Sequence, residues 1–277
     1  IPKLQNNYVF HSPPQTSYEY VSMNIRGKER GRSPVFAEVE VRKAMAHCLN
    51  VELLLEEVRY GLGERLAADY PSYRPGFRNK ELELIEHDPD QAKEILENAG
   101  WTDSNKNGLL DKEVAGETVE FVVECIYNAN KPARLKIAEA LQQSAREAGI
   151  LVTIEALPWK AYLNRMKKGD FDIAIGAWAS DPNEDSYAQI WHSKNWGTGS
   201  NFIGFGDAES DGLIEAYDAT LDPENRRSIS FQIQRKISKL QPYIFLWVNT
   251  QCIVVKKGLG NANIYLYRPG FWLGEWN

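Results

Sequence analysis

The sequence predicts an α/β fold, with a mostly parallel or mixed central sheet flanked by helices. Two observations carry that expectation. Short β-rich runs alternate with helical patterns of ten or more residues, as in βαβ units. Several of those runs, above all residues 171–178 (FDIAIGAW), are almost uninterruptedly apolar, as strands covered on both faces are.

Taken in order, residues 18–26 (YEYVSMNIR) alternate apolar and polar positions and read as a strand. After a Gly/Arg/Pro loop, residues 39–49 place Val41, Ala44, Met45 and Cys48 at helical spacing. A second helix over 52–60 ends at Gly61, where glycine accepts the left-handed cap. Residues 67–78 (AADYPSYRPGFR) mix Pro and Gly with aromatics and read as a loop packed on the surface. Asp88-Pro89 is an N-cap followed by proline at the first helical position, and that helix runs to Asn98. Then come a strand at 118–126, a helix at 133–148 stopped by Gly149, and a strand at 151–156. A helix at 159–168 with Gly169 behind it leads into the apolar strand 171–178. The last third holds helices at 207–220 and 223–240, a long apolar strand at 244–255, and an aromatic tail.

The chain has 277 residues, 43% apolar and 25% charged, which suits one large domain or two small ones. Disordered, collagen-like and coiled-coil readings are excluded by that composition. A net charge of −6 argues against a nucleic-acid partner, which calls for a basic footprint. No stretch approaches the roughly 18 uncharged apolar residues of a membrane span. Eight tryptophans suit binding clefts as well as cores, since each joins a large apolar body to a polar tip. The start at Ile1 is that of a mature product or of a piece of a longer chain. Cys48, Cys125 and Cys252 are odd in number and never spaced as CxxC, so three buried thiols acting as small hydrophobes are expected.

Little in the sequence points to catalysis. The four histidines, His11, His47, His87 and His192, never pair at metal-ligand spacing, and no nucleophile elbow or phosphate loop is present. No catalytic residue, metal or cofactor is assigned. Residues 103–108 (DSNKNG) copy the first half of a calcium loop, but Val114 stands where the bidentate Glu belongs and a strand follows. Asn, Asp and Gly also build tight turns, and a turn is the favoured reading. The stretch 170–193 is more informative. A buried strand ends at Trp178 and a loop with Asp181, Asn183, Glu184 and Asp185 leads into a helix. Open α/β sheets bind ligands just beyond the carboxyl ends of their strands. Trp178 then offers an apolar wall and Asp181 an anion, unless the acids merely cap the helix and Trp178 belongs to the core.

The order of segments resembles the C-terminal lobe of the family 5 extracellular solute-binding proteins, the oligopeptide and dipeptide receptors of ABC importers. Residues 20–24 (YVSMN) resemble that family's crossing strand, and 40–49 (EVRKAMAHCL) its "VRxAxxxAID" helix, with Asn50-Val51 replacing the usual acidic-basic pair. Residues 88–101 (DPDQAKEILENAGW) resemble "DPxxAxxLLxxAGW", and 149–155 with Trp159 and Tyr162 resemble "GIxVxxxxxxWxxY". Residues 169–178 resemble "GxFDxxxxGW", and 201–211 the "sNxxxfxxxxxD" run.

The resemblance implies a periplasmic-binding-protein-like lobe and a binding protein rather than an enzyme. It implies an extracytoplasmic location, periplasmic or lipid-anchored, and a membrane ABC permease as partner. Its ligand would be a peptide or other small solute, trapped by hinge closure. The whole chain, with a core at about 18–248, would be one lobe. Residues 1–20 and 249–277 would be hinge or return segments to an N-terminal lobe absent from this sequence. Carried over by position, Asp181 would pair with a peptide's α-ammonium, Trp178 would supply the apolar wall, and Asn183 and Glu184 would continue the binding loop. Pro182 and Asp185 replace the family's frequent Tyr and Pro, which alters the loop's shape. Lys131 and Arg134 lie where some members hold a partner for the ligand carboxylate; as residues alone they also read as solvated charges on a helix's first turn. An oligosaccharide or other small solute, or a sensing lobe fused to a DNA-binding domain, are the alternatives.

Overall fold

The computed structural model describes residues 2–74, 76–114, 116–180, 186–265 and 269–277. The chain opens with a single turn α1 (Pro2–Gln5), β1 (Tyr8–His11) and β2 (Pro14–Met23). Helices α2 (Val39–Cys48) and α3 (Val51–Arg59), β3 (Gly63–Arg65) and α4 (Pro89–Asn98) follow. A small hairpin, β4 (Asp111–Val114) and β5 (Glu117–Glu120), precedes β6 (Val122–Asn128), α5 (Pro132–Glu147), β7 (Leu151–Leu157), α6 (Trp159–Lys168) and β8 (Ile173–Ala179). The last third holds α7 (Ala188–Trp191), α8 (Ala208–Ala219), α9 (Pro223–Leu240), β9 (Tyr243–Thr250) and β10 (Ile253–Lys256).

The sheet is mixed, in the order β3-β9-β2-β8-β6-β7. Only β7, β6 and β8 run parallel, and they are the strands joined through α5 and α6 as βαβ units. The pairings of β8 with β2, β2 with β9 and β9 with β3 are antiparallel. Within this sheet, parallel pairing is therefore confined to the stretch where strands and helices alternate.

Each face of the sheet carries its own core. Val21 and Met23 of β2, with Val123 and Cys125 of β6, pack among α2–α5 and around the fully buried Trp101. Tyr18 and Tyr20 of β2, with Ile126 and Phe245, pack among α6–α9 and around Trp191. Strand side chains alternate between faces, so β2 contributes one residue to each core in turn.

Three helix starts are capped by an aspartate. Asp88, Asp222 and Asp207 accept the backbone N–H of Gln91, Asn225 and Ser210, the last in a reciprocal capping box. The Asp103–Asp111 stretch folds as a turn. Asp103 takes the N–H groups of Asn107 and Gly108 on its two oxygens, and Asp111 takes that of Ser104.

Five local expectations need correcting. The strand read at 118–126 is two, β5 in the hairpin with β4 and β6 in the central sheet, parted where the Phe121 N–H turns to the Leu110 carbonyl. The strand read at 18–26 runs from Pro14 to Met23, because the Asn24 side chain leaves the ladder to donate to the carbonyls of Gly169 and Phe171. The apolar run 244–255 is two strands, broken where the Gln251 N–H turns to the Pro13 carbonyl; β10 then pairs with β1 in a separate two-stranded sheet. Cys252 lies in that break and is exposed, whereas Cys48 and Cys125 are buried. The loop 67–78 is anchored rather than superficial, with Ala68, Asp69, Tyr73 and Phe77 buried.

Candidate functional site

Strand β8 ends at Trp178–Ala179, and its antiparallel register with β2 sets Gly176 opposite Tyr20 and Trp178 opposite Tyr18. Glycine at 176 is a steric necessity. A Cβ there would lie 2.5 Å from the Tyr20 hydroxyl, so the bare backbone lets the Tyr20 ring lie across β8. Tyr20 stacks on Tyr243 at 4.2 Å and 9°, and on Trp178 at 6.1 Å and 19°. Trp178 in turn stacks on Phe202 at 5.9 Å, and its indole N–H points to the Tyr243 hydroxyl at 3.4 Å. The result is a shelf of four rings. Trp178 is half-buried in it, so it is both a margin of the core and a wall.

Two cavities flank Trp178. The first, about 230 Å³, is mostly apolar and is lined by Tyr20, Trp159, Tyr162, Phe202 and Arg134 among others. Arg134 is buried, not solvated, and its guanidinium lies 3.7 Å from the Glu19 carboxylate. Burial pushes Glu19 up from its ordinary value, against the pull of Arg134, Arg59 and Lys131. Lys131 is the N-cap residue of α5, exposed, and its side chain caps nothing. The structure thus brings Trp178 and Arg134 to one cavity and leaves Lys131 at the surface. Asp181, Asn183 and Glu184 lie outside the described residues.

The second cavity, about 130 Å³, is lined by Tyr18, Asp69, Tyr70, Tyr73, Trp178 and Tyr187 among others. Asp69 is 7% exposed and accepts the indole N–H of the fully buried Trp191 at 2.7 Å. Burial pushes Asp69 up to about 6, an effect that Trp191 and the polar groups of Tyr18 and Tyr70 partly offset. Nothing in the reading of the sequence singled out Asp69. The available signal was one acid inside an aromatic-rich loop, and its burial is a tertiary property. The aromatic shelf was equally hidden, because it depends on the cross-strand register of β2 and β8.

The raised Asp69 has a consequence for stability. A carboxyl that binds its proton more tightly when folded stabilises the native state at low pH and loses that contribution as pH rises through about 6. Glu124 and Asp207 are held low, mainly by Arg165 and by the Ser210 N–H with Lys236, so they act below the ordinary carboxylate range. Between pH 4.5 and 7.5, urea unfolding is therefore expected to show Asp69→Asn gaining about 2 kcal/mol relative to the natural protein. Asn keeps an acceptor for Trp191 but has no charge to bury. A pH-independent difference between the two proteins would contradict this.

The profile of the bacterial extracellular solute-binding proteins, family 5 Middle, matches residues 1–200. The chain belongs to that family. It is 28% identical over 262 residues to the oligopeptide-binding protein AppA of Bacillus subtilis, covering 91% of this chain and 45% of AppA. It is 24% identical to the dipeptide-binding protein of Escherichia coli, over 88% of this chain and 42% of that protein. The structure of Bacillus subtilis AppA in complex with a nonapeptide superposes with a TM-score of 0.79 at 26% identity, over 98% of this chain and 52% of that one. NikA of Brucella suis, solved with Fe(III)-EDTA, shares the fold at a TM-score of 0.80 and 19% identity, over 100% of this chain and 54% of NikA. The chain spans about half the length of the family members it matches. Among its described residues no helix is long and apolar enough to cross a membrane.

Proposed function

We propose that this chain is the C-terminal lobe of a two-lobe peptide receptor that serves an ABC importer outside the cytoplasmic membrane, free in the periplasm or lipid-anchored. The strands β2 and β9, continued by β1 and β10, lead toward the second lobe, and residues 18–248 form the core of this one. Closure of the two lobes about these connections traps the ligand, and the closed form is what the permease recognises. The protein is a binding protein and performs no chemistry on its ligand.

The observation that carries the reading is the ring shelf around Trp178, with Arg134 on one side and Asp181 three residues on in the sequence. A peptide is a zwitterion with a flat backbone. Asp181 takes its α-ammonium, Trp178 covers the chain, and Arg134, with Lys131 near the rim, faces its carboxylate. Asn183 and Glu184 supply further polar contacts from the same loop. Ion pairs formed in a closed, partly dry cleft are worth more than the same pairs in water. The relationship to AppA supports peptide over other solutes.

Calorimetry on the full-length protein tests this reading. Asp181→Asn is expected to weaken binding of unblocked peptides by about tenfold or more, and to leave the affinity for N-acetylated peptides nearly unchanged. Equal affinity of the two proteins for an unblocked peptide would refute the role of Asp181.

A further inference from the structure

We propose that Asp69 and the rings of Tyr18, Tyr70, Tyr73, Trp178 and Tyr187 form a pocket for a cationic head group of the ligand, a primary ammonium or a guanidinium. The proposal rests on the peptide reading only for the statement that this end of the sheet is the ligand face.

Three observations converge on it. Asp69 is more than nine-tenths buried and lines the cavity beside Trp178. It is the only charged side chain among the described residues that line that cavity. Buried carboxylates are ordinarily paired with a cation, and even the half-buried Glu19 has Arg134, a lining residue of the neighbouring cavity, 3.7 Å away. No Lys, Arg or His among the described residues lies within ion-pairing distance of Asp69, and its hydrogen bond from Trp191 is made by a neutral donor.

The walls agree with the floor. Rings whose faces carry negative charge density attract ammonium and guanidinium groups, most strongly where water is excluded. A cavity of about 130 Å³ whose described lining holds one carboxylate and several such rings favours a compact cation on an apolar stem. An anion would be repelled, and a neutral alkyl group of the same shape would bury the Asp69 charge without compensating it. The two cavities then divide the work: the Arg134 side takes apolar or anionic groups, and the Asp69 side takes a basic one.

The test uses n-butylammonium, n-propylguanidinium and 1-butanol as probes of the full-length protein at constant ionic strength, read by tryptophan fluorescence, since Trp178 and Trp191 adjoin the site. The two cations are expected to give saturable changes and butanol none. Asp69→Asn is expected to weaken the cation response by roughly tenfold. Calorimetry with N-acetylated Ala-Lys-Ala, Ala-Arg-Ala and Ala-norleucine-Ala then separates a side-chain cation from a peptide α-ammonium. Preference for Lys or Arg over norleucine, lost in Asp69→Asn, supports the pocket. An equal response to butanol and butylammonium overturns it without any substitution, and so does an unchanged cation response in a folded Asp69→Asn protein. If the cations bind through Asp69 while no peptide binds at all, the pocket stands and the peptide reading falls.

Discussion

Replacing Trp191 with alanine is expected to lower stability by about 4 kcal/mol, measured by urea unfolding at pH 7. Trp191 is fully buried at the centre of the α6–α9 core. Phe205 meets its ring edge-on at 5.1 Å, and Tyr243 and Phe245 lie at 4.8 and 6.2 Å. Three aromatic neighbours cannot all collapse into the space, so most of the cavity cost persists. Trp191→Phe separates packing from hydrogen bonding. It keeps most of the volume but leaves the Asp69 carboxylate without its indole donor, at a cost of about 1–3 kcal/mol. Combining Trp191→Phe with Asp69→Asn should cost less than the sum of the two, because the pair acts as a unit. Strict additivity would show that the Trp191–Asp69 bond carries no weight.

Arg42→Met is the second large effect expected, about 3 kcal/mol or more. Arg42 is buried in α2, and its guanidinium spans two distant parts of the fold. Nη1 donates to the carbonyls of Phe36 at 2.6 Å and Ala37 at 3.0 Å, while Nε and Nη2 both donate to Leu240 O, at 3.0 and 2.8 Å. Leu240 ends α9, so the cation satisfies a carbonyl that the helix itself leaves without a partner. Burial pulls Arg42 down to about 10, which still leaves it charged at neutral pH. Methionine preserves the apolar stem but supplies no donor, and those carbonyls then stay buried and unbonded. Arg42→Lys should recover only part of the loss, since an ammonium lacks the fork that reaches both sides. Loss of less than 1 kcal/mol in Arg42→Met would show that water replaces the guanidinium at low cost.

What could be read from the sequence was local. The cap pairs Asp88-Pro89 and Asp222-Pro223, and the glycine stop at Gly169, mark helix ends because capping is settled within a few residues. The strand ending at Trp178 was legible from its continuous apolar pattern. The antiparallel half of the sheet was not. Residues of β2 and β9 meet across more than 200 positions, and no short-range pattern encodes that meeting. Shorter but still long separations hid the stacking of Tyr20 over Gly176 and the hydrogen bond from Trp191 to Asp69, which lie 122 positions apart. Arg134 could be suggested by position, but its burial and its partner Glu19 depend on how α5 lies against β2.

The proposed function makes the face bearing Trp178 and Arg134 a peptide-binding surface. Mass spectrometry of the full-length protein, purified without added ligand and then denatured, tests it most directly. Short peptides released in about one-to-one ratio with protein are the predicted result. Stoichiometric release of a sugar, a metal complex or haem, with no peptide, would contradict it.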